Sequence, residues 1–274
     1  MIGDLQPPNT AAMPMVDALL VAGGVPAPND PLYPLTRGRP KALLELAGRP
    51  MIQWVLDALA AAQTVRNVIV IGLNEADLRT DRRRPIAFIP ARGGIVDNLV
   101  AGATCARAFA PPPTHLLAIS SDIPLITAAA IDWVVRAALE TGHDAYYTVV
   151  PAEAMERRFP DARRSYFRLR EGRFAGGDLH VIGLPVFDGY NPRWHDILEA
   201  RKSALRVASL VGFDAFVRLA LGLASVPWAE QRVRERLGLN GRLLICPYAE
   251  AGMDVDKPRQ YELVKRELEG KGGE

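Results

Sequence analysis

Cysteine is nearly absent from this 274-residue sequence: only Cys105 and Cys246 occur, each inside an apolar helix-like or strand-like segment. Two isolated thiols cannot build a disulfide framework and read as buried side chains of a protein in a reducing cytoplasm. Histidine is equally sparse, with His115, His143, His180 and His195 far apart, so the spacing of a zinc site is missing. Each of the four reads as a surface or hydrogen-bonded structural residue. No Ser-His-Asp or Cys-His set stands out. An excess of charge of one sign is missing too. Thirty-three basic residues face 31 acidic ones, a net charge of +2, which excludes a protein whose main task is coating nucleic acid or an anionic membrane. No stretch of about 18 apolar residues is present to span a bilayer. Met1 to Thr10 carries Asp4 and prolines where a secretory leader would be basic.

What is present is a large apolar fraction, 49%, enough for a full core over a chain of this length and too much for a disordered one. Short apolar runs alternate with segments of helical period. Strands are expected at Ala18 to Val21, Val68 to Ile71, Ile86 to Ile89, His115 to Ile119, Ala145 to Val150 and Leu243 to Cys246. Helices are expected at Met51 to Ala62, Ile95 to Phe109, Ala130 to Thr141 and Arg259 to Glu269. Strands that are apolar throughout, separated by helices, imply a mostly parallel sheet covered on both faces, a doubly wound α/β fold. After a basic stretch holding Arg157, Arg158, Arg163 and Arg164, the pattern predicts a ribbon of Tyr166 to Leu169 and Arg173 to Ile182. Asn191 to Leu237 then reads as successive helices without a strand, an inserted segment within one domain spanning 1–274. There Phe213, Phe216, Val217 and Leu221 recur at core spacing, while Arg193, Trp194, Arg201 and Lys202 read either as acceptor contacts or as the rim of a packing layer.

Three motifs carry chemistry. Ala22-Gly23-Gly24 follows the first strand, where glycine lets backbone N–H groups approach a ligand, although such a turn also serves as a plain tight connection. The loop continues through four prolines to Arg37, Arg39 and Lys41, and three cations closing a stiffened loop suit a polyphosphate or, alternatively, form a solvated basic turn. Asp122, in Ser121-Asp122-Ile123-Pro124-Leu125, leaves a strand end, and Asp254 and Asp256 precede Lys257-Pro258. One or two such carboxylates suffice for Mg²⁺, which completes its shell with phosphate oxygens and water. Each aspartate would equally serve as a helix cap or an Asx turn. In a doubly wound sheet the Leu20 to Lys41 loop and the Ser121-Asp122 turn both leave carboxyl ends of strands and can face one crevice.

Taken together these motifs resemble the nucleotidyltransferase superfamily of GT-A-like fold, in particular the branch of molybdenum-cofactor guanylyltransferases and sugar-phosphate nucleotidyltransferases. The resemblance rests on Leu20 to Gly24, on Pro40 to Leu44 with Ala47 to Ile52, on Ser121 to Leu125, on Gly176-Gly177-Asp178-Leu179 and on Asp254 to Pro258. It implies Mg²⁺-dependent transfer of a nucleoside monophosphate from an NTP to a phosphorylated acceptor such as a sugar phosphate, with release of pyrophosphate. By that resemblance Ala22, Gly23 and Gly24 hold base and phosphates, and Gly93, Gly94 and Asn98 line the base pocket. Lys41 neutralises phosphate, Asp122 and Asp256 hold the metal with Asp254 as competing ligand, and Gly177 and Asp178 meet the acceptor.

The family loop runs Gly-Gly-x-Gly-x-Arg, whereas here Pro26 and Pro28 stand at the later glycine and arginine positions, leaving Arg37 or Arg39 to replace the arginine. Gly176-Gly177-Asp178 carries Asp where many relatives have Asn, a pure acceptor in place of a donor-acceptor. The competing expectations are a molybdopterin-type guanylyl- or cytidylyltransferase and a nucleotide-binding protein of this fold without turnover. The partners are an NTP and a small phosphorylated acceptor, with no nucleic acid and no membrane, in a monomer or homodimer.

Overall fold

The computed structural model describes residues 15–78, 84–188, 218 and 221–271. Its first strand, β1 (Val16–Val21), is followed by the single-turn helix α1 (Tyr33–Thr36), the short pair β2 (Glu45–Leu46) and β3 (Arg49–Pro50), and the helix α2 (Met51–Ala61). Then come β4 (Val65–Ile71), β5 (Ile86–Ile89), α3 (Ile95–Ala106), β6 (His115–Ser120), α4 (Ala128–Leu139), β7 (Ala145–Pro151) and α5 (Ala152–Arg158). A hairpin of β8 (Phe167–Leu169) and β9 (Gly172–Gly176) leads into β10 (Leu179–Gly183), and α6 (Val226–Leu237), β11 (Gly241–Ile245) and α7 (Pro258–Lys271) complete the described chain. Among the described residues no helix is long and apolar enough to cross a membrane.

Nine of these strands form one sheet in the order β5-β4-β1-β6-β10-β7-β9-β8, with β11 beside β7. β5, β4, β1 and β6 run parallel, as does β11 with β7, while β10 lies antiparallel between β6 and β7. The fold is thus the expected α/β layout with a mostly parallel sheet. The segment from Arg173 to Ile182, read as one strand, divides at Gly177-Asp178. β9 leaves the far half of β7 at Gly176, and β10 takes up the near half from Val181. One edge of β7 therefore serves two strands in turn, which no local periodicity can announce.

Side chains alternate between the faces of a strand, and the two faces are used differently. On one face Ala18, Leu20, Val68, Val70, Leu117, Ile119 and Val181 pack in the main core with α2, α4 and α7. On the other, Leu19, Ile69, Ile71 and Leu116 pack with Ala103 and Ala106 of α3. The thiols follow the same logic, Cys246 fully buried and Cys105 half-buried on α3, so the expectation of two buried thiols holds for Cys246 alone.

Local details differ from the sequence reading. α3 stops at Ala106 instead of Phe109, because Ala108 and Phe109 tighten into turns before the Pro111-Pro112-Pro113 run. α4 starts at Ala128, two residues early, since Thr127 Oγ1 accepts a hydrogen bond from Ala130 N at 3.2 Å and caps it. Leu221, expected in the core, is 65% exposed in the turn before α6. Of the helical run expected over 191–237, α6 falls among the described residues; His195, Arg193, Trp194, Arg201, Lys202, Phe213, Phe216 and Val217 lie outside them.

The carboxyl ends of the parallel strands are joined by backbone. Ala22 N donates to Ile71 O at 2.9 Å, Gly72 N to Ile89 O at 2.9 Å and Ser121 N to Val21 O at 3.2 Å. Gly72 has φ +98, and a Cβ there would lie 2.3 Å from Gly23 Cα. Gly72→Ala is therefore expected to destabilise the protein by at least about 2 kcal/mol through backbone strain and collision. A melting temperature equal to that of the unaltered protein would remove this contact from the account of the loop.

Candidate nucleotide and metal site

Lys41 opens a short 3₁₀ turn, Lys41–Leu43, and its backbone N donates to Gly24 O at 2.8 Å, closing the loop that left β1. From that fixed point its ammonium reaches Asp122 Oδ2 at 2.7 Å and Asp256 Oδ1 at 2.5 Å. Burial pulls the Lys41 pKa down, and the two carboxylates outweigh it, so the group is held above its ordinary value and stays charged. Asp122 is oriented further by Ser120 Oγ, which donates to its Oδ1 at 2.5 Å, and the backbone N of Val255 donates to Asp122 O at 2.9 Å. That bond ties the turn after β6 to the segment before α7. Gln260 Oε1 accepts from Asp256 N at 2.9 Å on the other side.

Asp254 points elsewhere. Its carboxylate forms an ion pair with the largely buried guanidinium of Arg164, in the loop after α5. The two candidate ligands of the Asp-Val-Asp segment are thereby separated, one towards Lys41 and one towards Arg164. Asp178 lies close by in the turn between β9 and β10, with its backbone N on Ala251 O at 2.9 Å and its O accepting from Ser120 N at 2.9 Å. Its Oδ2 is buried without a hydrogen-bond partner. Burial first, then the negative charge of Asp122, raises the Asp178 pKa to about 7 against the pull of Arg164 and Lys41.

Gly93 and Gly94 form the turn between β5 and α3. Gly93 has φ +47, and a Cβ there would meet Asp97 Oδ2 at 2.4 Å. Asp97 Oδ2 also accepts from Gly94 N at 2.9 Å, and buried Asn98 turns its Oδ1 to Arg92 N at 2.6 Å. Asn98 therefore holds the loop in shape with the atom that would otherwise read a base. A Cβ on Gly23 would come within 2.9 Å of Ala91 Cβ, so the Gly23-Gly24 turn and the Gly93-Gly94 loop share one rim. Arg37 and Arg39 are exposed, and neither lines the cleft beside Asp122. Arg37 instead ends α1 with φ 51.

That cleft has a volume of about 510 Å³ and runs from Asp122, Asp178, Asp254 and Asp256 across the sheet to Ile182 and Ala145. Its floor is built by register. Ala118 on β6 faces His180 on β10, and His180 stacks on Tyr147 of β7 with ring centroids 4.5 Å apart and planes 13° apart. His180 Nδ1 accepts from Thr148 N at 3.2 Å, which places the proton of the neutral imidazole on Nε2. Tyr147 is half-exposed although it sits in an interior strand. The sequence reading treated His180 as structural and passed over Tyr147, Arg164 and Ser120. The pairing of β10 with β7 that exposes the first two has no local signature, whereas Arg164 stood inside a basic stretch that drew attention without an assignment. Cys246 is no hidden nucleophile, since burial raises its thiol to about 11.

The description "MobA-like NTP transferase domain" matches residues 36–212, more than half of the chain. The chain belongs to the MobA-like NTP transferase family. The match takes in Lys41, Asp122 and Asp178 and stops short of both Gly23-Gly24 and Asp256. A hypothetical transferase from Thermus thermophilus is 34% identical, with a TM-score of 0.77 over 90% of this chain and 99% of that one. CMP:2-keto-3-deoxy-manno-octonic acid synthetase complexed with CTP shares the fold at 12% identity and a TM-score of 0.60, over 94% of this chain and 99% of that one. 4-Diphosphocytidyl-2C-methyl-D-erythritol synthase from Anaerococcus prevotii does so at 9% and 0.53, over 93% of this chain and 96% of that one. Among curated proteins none matches by sequence. As an NTP transferase of this family the protein is a nucleotidyltransferase.

The raised Asp178 pKa sets a pH dependence. Between about pH 4 and pH 7 the folded protein keeps a proton that the unfolded chain has released, so this group's contribution to stability falls as pH rises through that window. In EDTA, Asp178→Asn is expected to gain melting temperature relative to the unaltered protein between pH 5 and pH 8. An equal difference at both pH values would show that Asp178 ionises normally.

Proposed function

We propose that this NTP transferase moves a nucleoside monophosphate from an NTP to a phosphorylated small-molecule acceptor, a sugar phosphate or a related molecule, in a Mg²⁺-dependent reaction. The observation that carries the reading is the meeting of Lys41, Asp122 and Asp256 at the head of a cleft whose floor is an open strip of sheet. Asp122 and Asp256 fit a magnesium ion: both offer hard oxygens, both already converge on one cation, and two carboxylates leave coordination positions for phosphate oxygens and water. Among the described residues no group of three or more His, Cys, Asp or Glu side chains is placed to hold a metal ion, so the remaining ligands would have to come from substrate and water. When bound, the ion would offset charge on the phosphates during transfer.

The chain's own residues do the rest. The turn at Ala22, Gly23 and Gly24, with Gly93 and Gly94 on the same rim, offers backbone N–H groups to the nucleotide, and Asn98 fixes the second loop. Lys41 neutralises the phosphates that the loop presents. An oxygen of the acceptor phosphate bonds to the α-phosphorus as the bond to the β-phosphate breaks, and pyrophosphate leaves with the electron pair, so no protein nucleophile is needed. Gly177 and Asp178 border the acceptor, with Asp178 placed to accept a hydroxyl proton in a hydrogen bond. Arg164 holds Asp254 out of the metal site. The face of His180 and Tyr147 supports the body of the acceptor, where an imidazole Nε2–H and a phenol hydroxyl edge an apolar floor suited to the ring of a sugar. Cys105 and Cys246, both free thiols, favour a reducing compartment such as the cytoplasm as the protein's setting.

Three outcomes test this. Asp122→Ala is expected to lower pyrophosphate release at least about 100-fold by removing a metal ligand, while unchanged release would refute the site. In a screen of the four NTPs, one or two should raise the melting temperature in a Mg²⁺-dependent manner. Once an acceptor is found, Tyr147→Ala and His180→Ala should each raise its KM about tenfold, as expected for loss of an aromatic contact. Stabilisation by NTP should remain, and an unchanged KM would remove the aromatic pair from the acceptor site.

A further inference from the structure

The ammonium of Lys41 stands where a cation shared by Asp122 and Asp256 would stand. It lies 2.7 Å from one carboxylate and 2.5 Å from the other. A magnesium ion binds oxygen at about 2.0–2.1 Å, so an ion bridging these two carboxylates would overlap the ammonium. We propose that Lys41 is a placeholder for the metal: in the nucleotide-free enzyme it fills the site, and the metal enters only with the NTP, whose phosphates draw the ammonium away. The inference rests on the assignment of Asp122 and Asp256 as ligands.

Three observations support a preformed site that Lys41 blocks and does not build. Asp122 is oriented by Ser120 Oγ, its backbone is tied to Val255, and Asp256 is tied through its own N–H to Gln260. None of these bonds involves Lys41, so the Asp122 carboxylate and the backbone that carries Asp256 keep their places when it departs. The Lys41 backbone is pinned at both ends, by its N to Gly24 O at 2.8 Å and by its O accepting from Leu44 N at 3.0 Å, so only the side chain needs to move. Gly24 belongs to the turn proposed for the phosphates, which puts the destination of the ammonium next to its anchor. An ammonium has three donors, and two are engaged here, so a phosphate approaching along the Gly24 side meets a cation already aimed at the site. Such an arrangement offsets part of the charge of the two carboxylates in the empty enzyme and makes metal binding conditional on nucleotide.

The test uses Mn²⁺ alone as probe, followed by the electron paramagnetic resonance signal of the free ion. The unaltered protein is expected to bind Mn²⁺ weakly without nucleotide and more tightly with the NTP that stabilises it. Lys41→Met, and Lys41→Gln as a second variant in case the first folds poorly, should bind Mn²⁺ without nucleotide at least about tenfold more tightly than the unaltered protein, because the competing charge is gone. Adding Asp122→Asn to either variant should abolish that gain. Tight Mn²⁺ binding by the unaltered protein without nucleotide would overturn the proposal, as would no gain on removing Lys41 or a gain that survives Asp122→Asn. Failure of the functional reading looks different: no NTP would change Mn²⁺ uptake by the unaltered protein, whatever the Lys41 variants do.

Discussion

The contact of Lys41 with Asp122 and Asp256 joins parts of the chain 81 and 215 residues apart, and the rest of the site is arranged around it. A buried ammonium is tolerated only beside opposite charge, and a pair of carboxylates turned towards each other only beside a cation. The loop after β1, the turn after β6 and the segment before α7 are therefore mutually dependent at this point. The backbone bonds that stitch the same strand ends, from Ala22 to Ile71, Ser121 to Val21 and Val255 to Asp122, ensure that the charges meet on a rigid frame.

That frame explains why neighbouring acidic groups behave differently. Asp256 is open to solvent and reaches Lys41, Asp254 is engaged by Arg164, and Asp178 is half-buried near Asp122 with one buried oxygen that has no hydrogen-bond partner. Four carboxylates crowd one end of the cleft with two cations to balance them, which is why Asp178, desolvated and outside the ion pairs of Lys41 and Arg164, holds its proton up to about pH 7. Such an imbalance is tolerable where a multivalent cation belongs and costly elsewhere.

Away from the charged end, the cleft follows from the order of strands. β10 inserts antiparallel between β6 and β7, and its register sets Ala118, His180 and Tyr147 in one row on the face opposite the main core. Among the described residues α3 covers that face over β1 and β4, where Leu19, Ile69 and Ile71 meet it, and the row beyond is left to the cleft. The same sheet thus supplies a core on one side and a binding floor on the other.

Much of this was legible in the residues. Apolar runs without alternation declared buried parallel strands, and the turns at Gly23-Gly24 and Asp122 marked the adjoining ends of two of them, because turn chemistry and strand periodicity are local properties. The division of Arg173 to Ile182 between two strands was not legible, nor was the exposure of Tyr147, the choice of Asp256 over Asp254 as partner of Lys41, or the exposed position of Arg37 and Arg39. The first three depend on which distant segment lies alongside: β7 offering one edge to two strands, and Arg164 arriving from the loop after α5 to take Asp254. Local pattern determined the fold class and the inventory of charged groups, and only the tertiary structure decided which of those groups face one another, since pairing energies act across space between residues the sequence holds far apart.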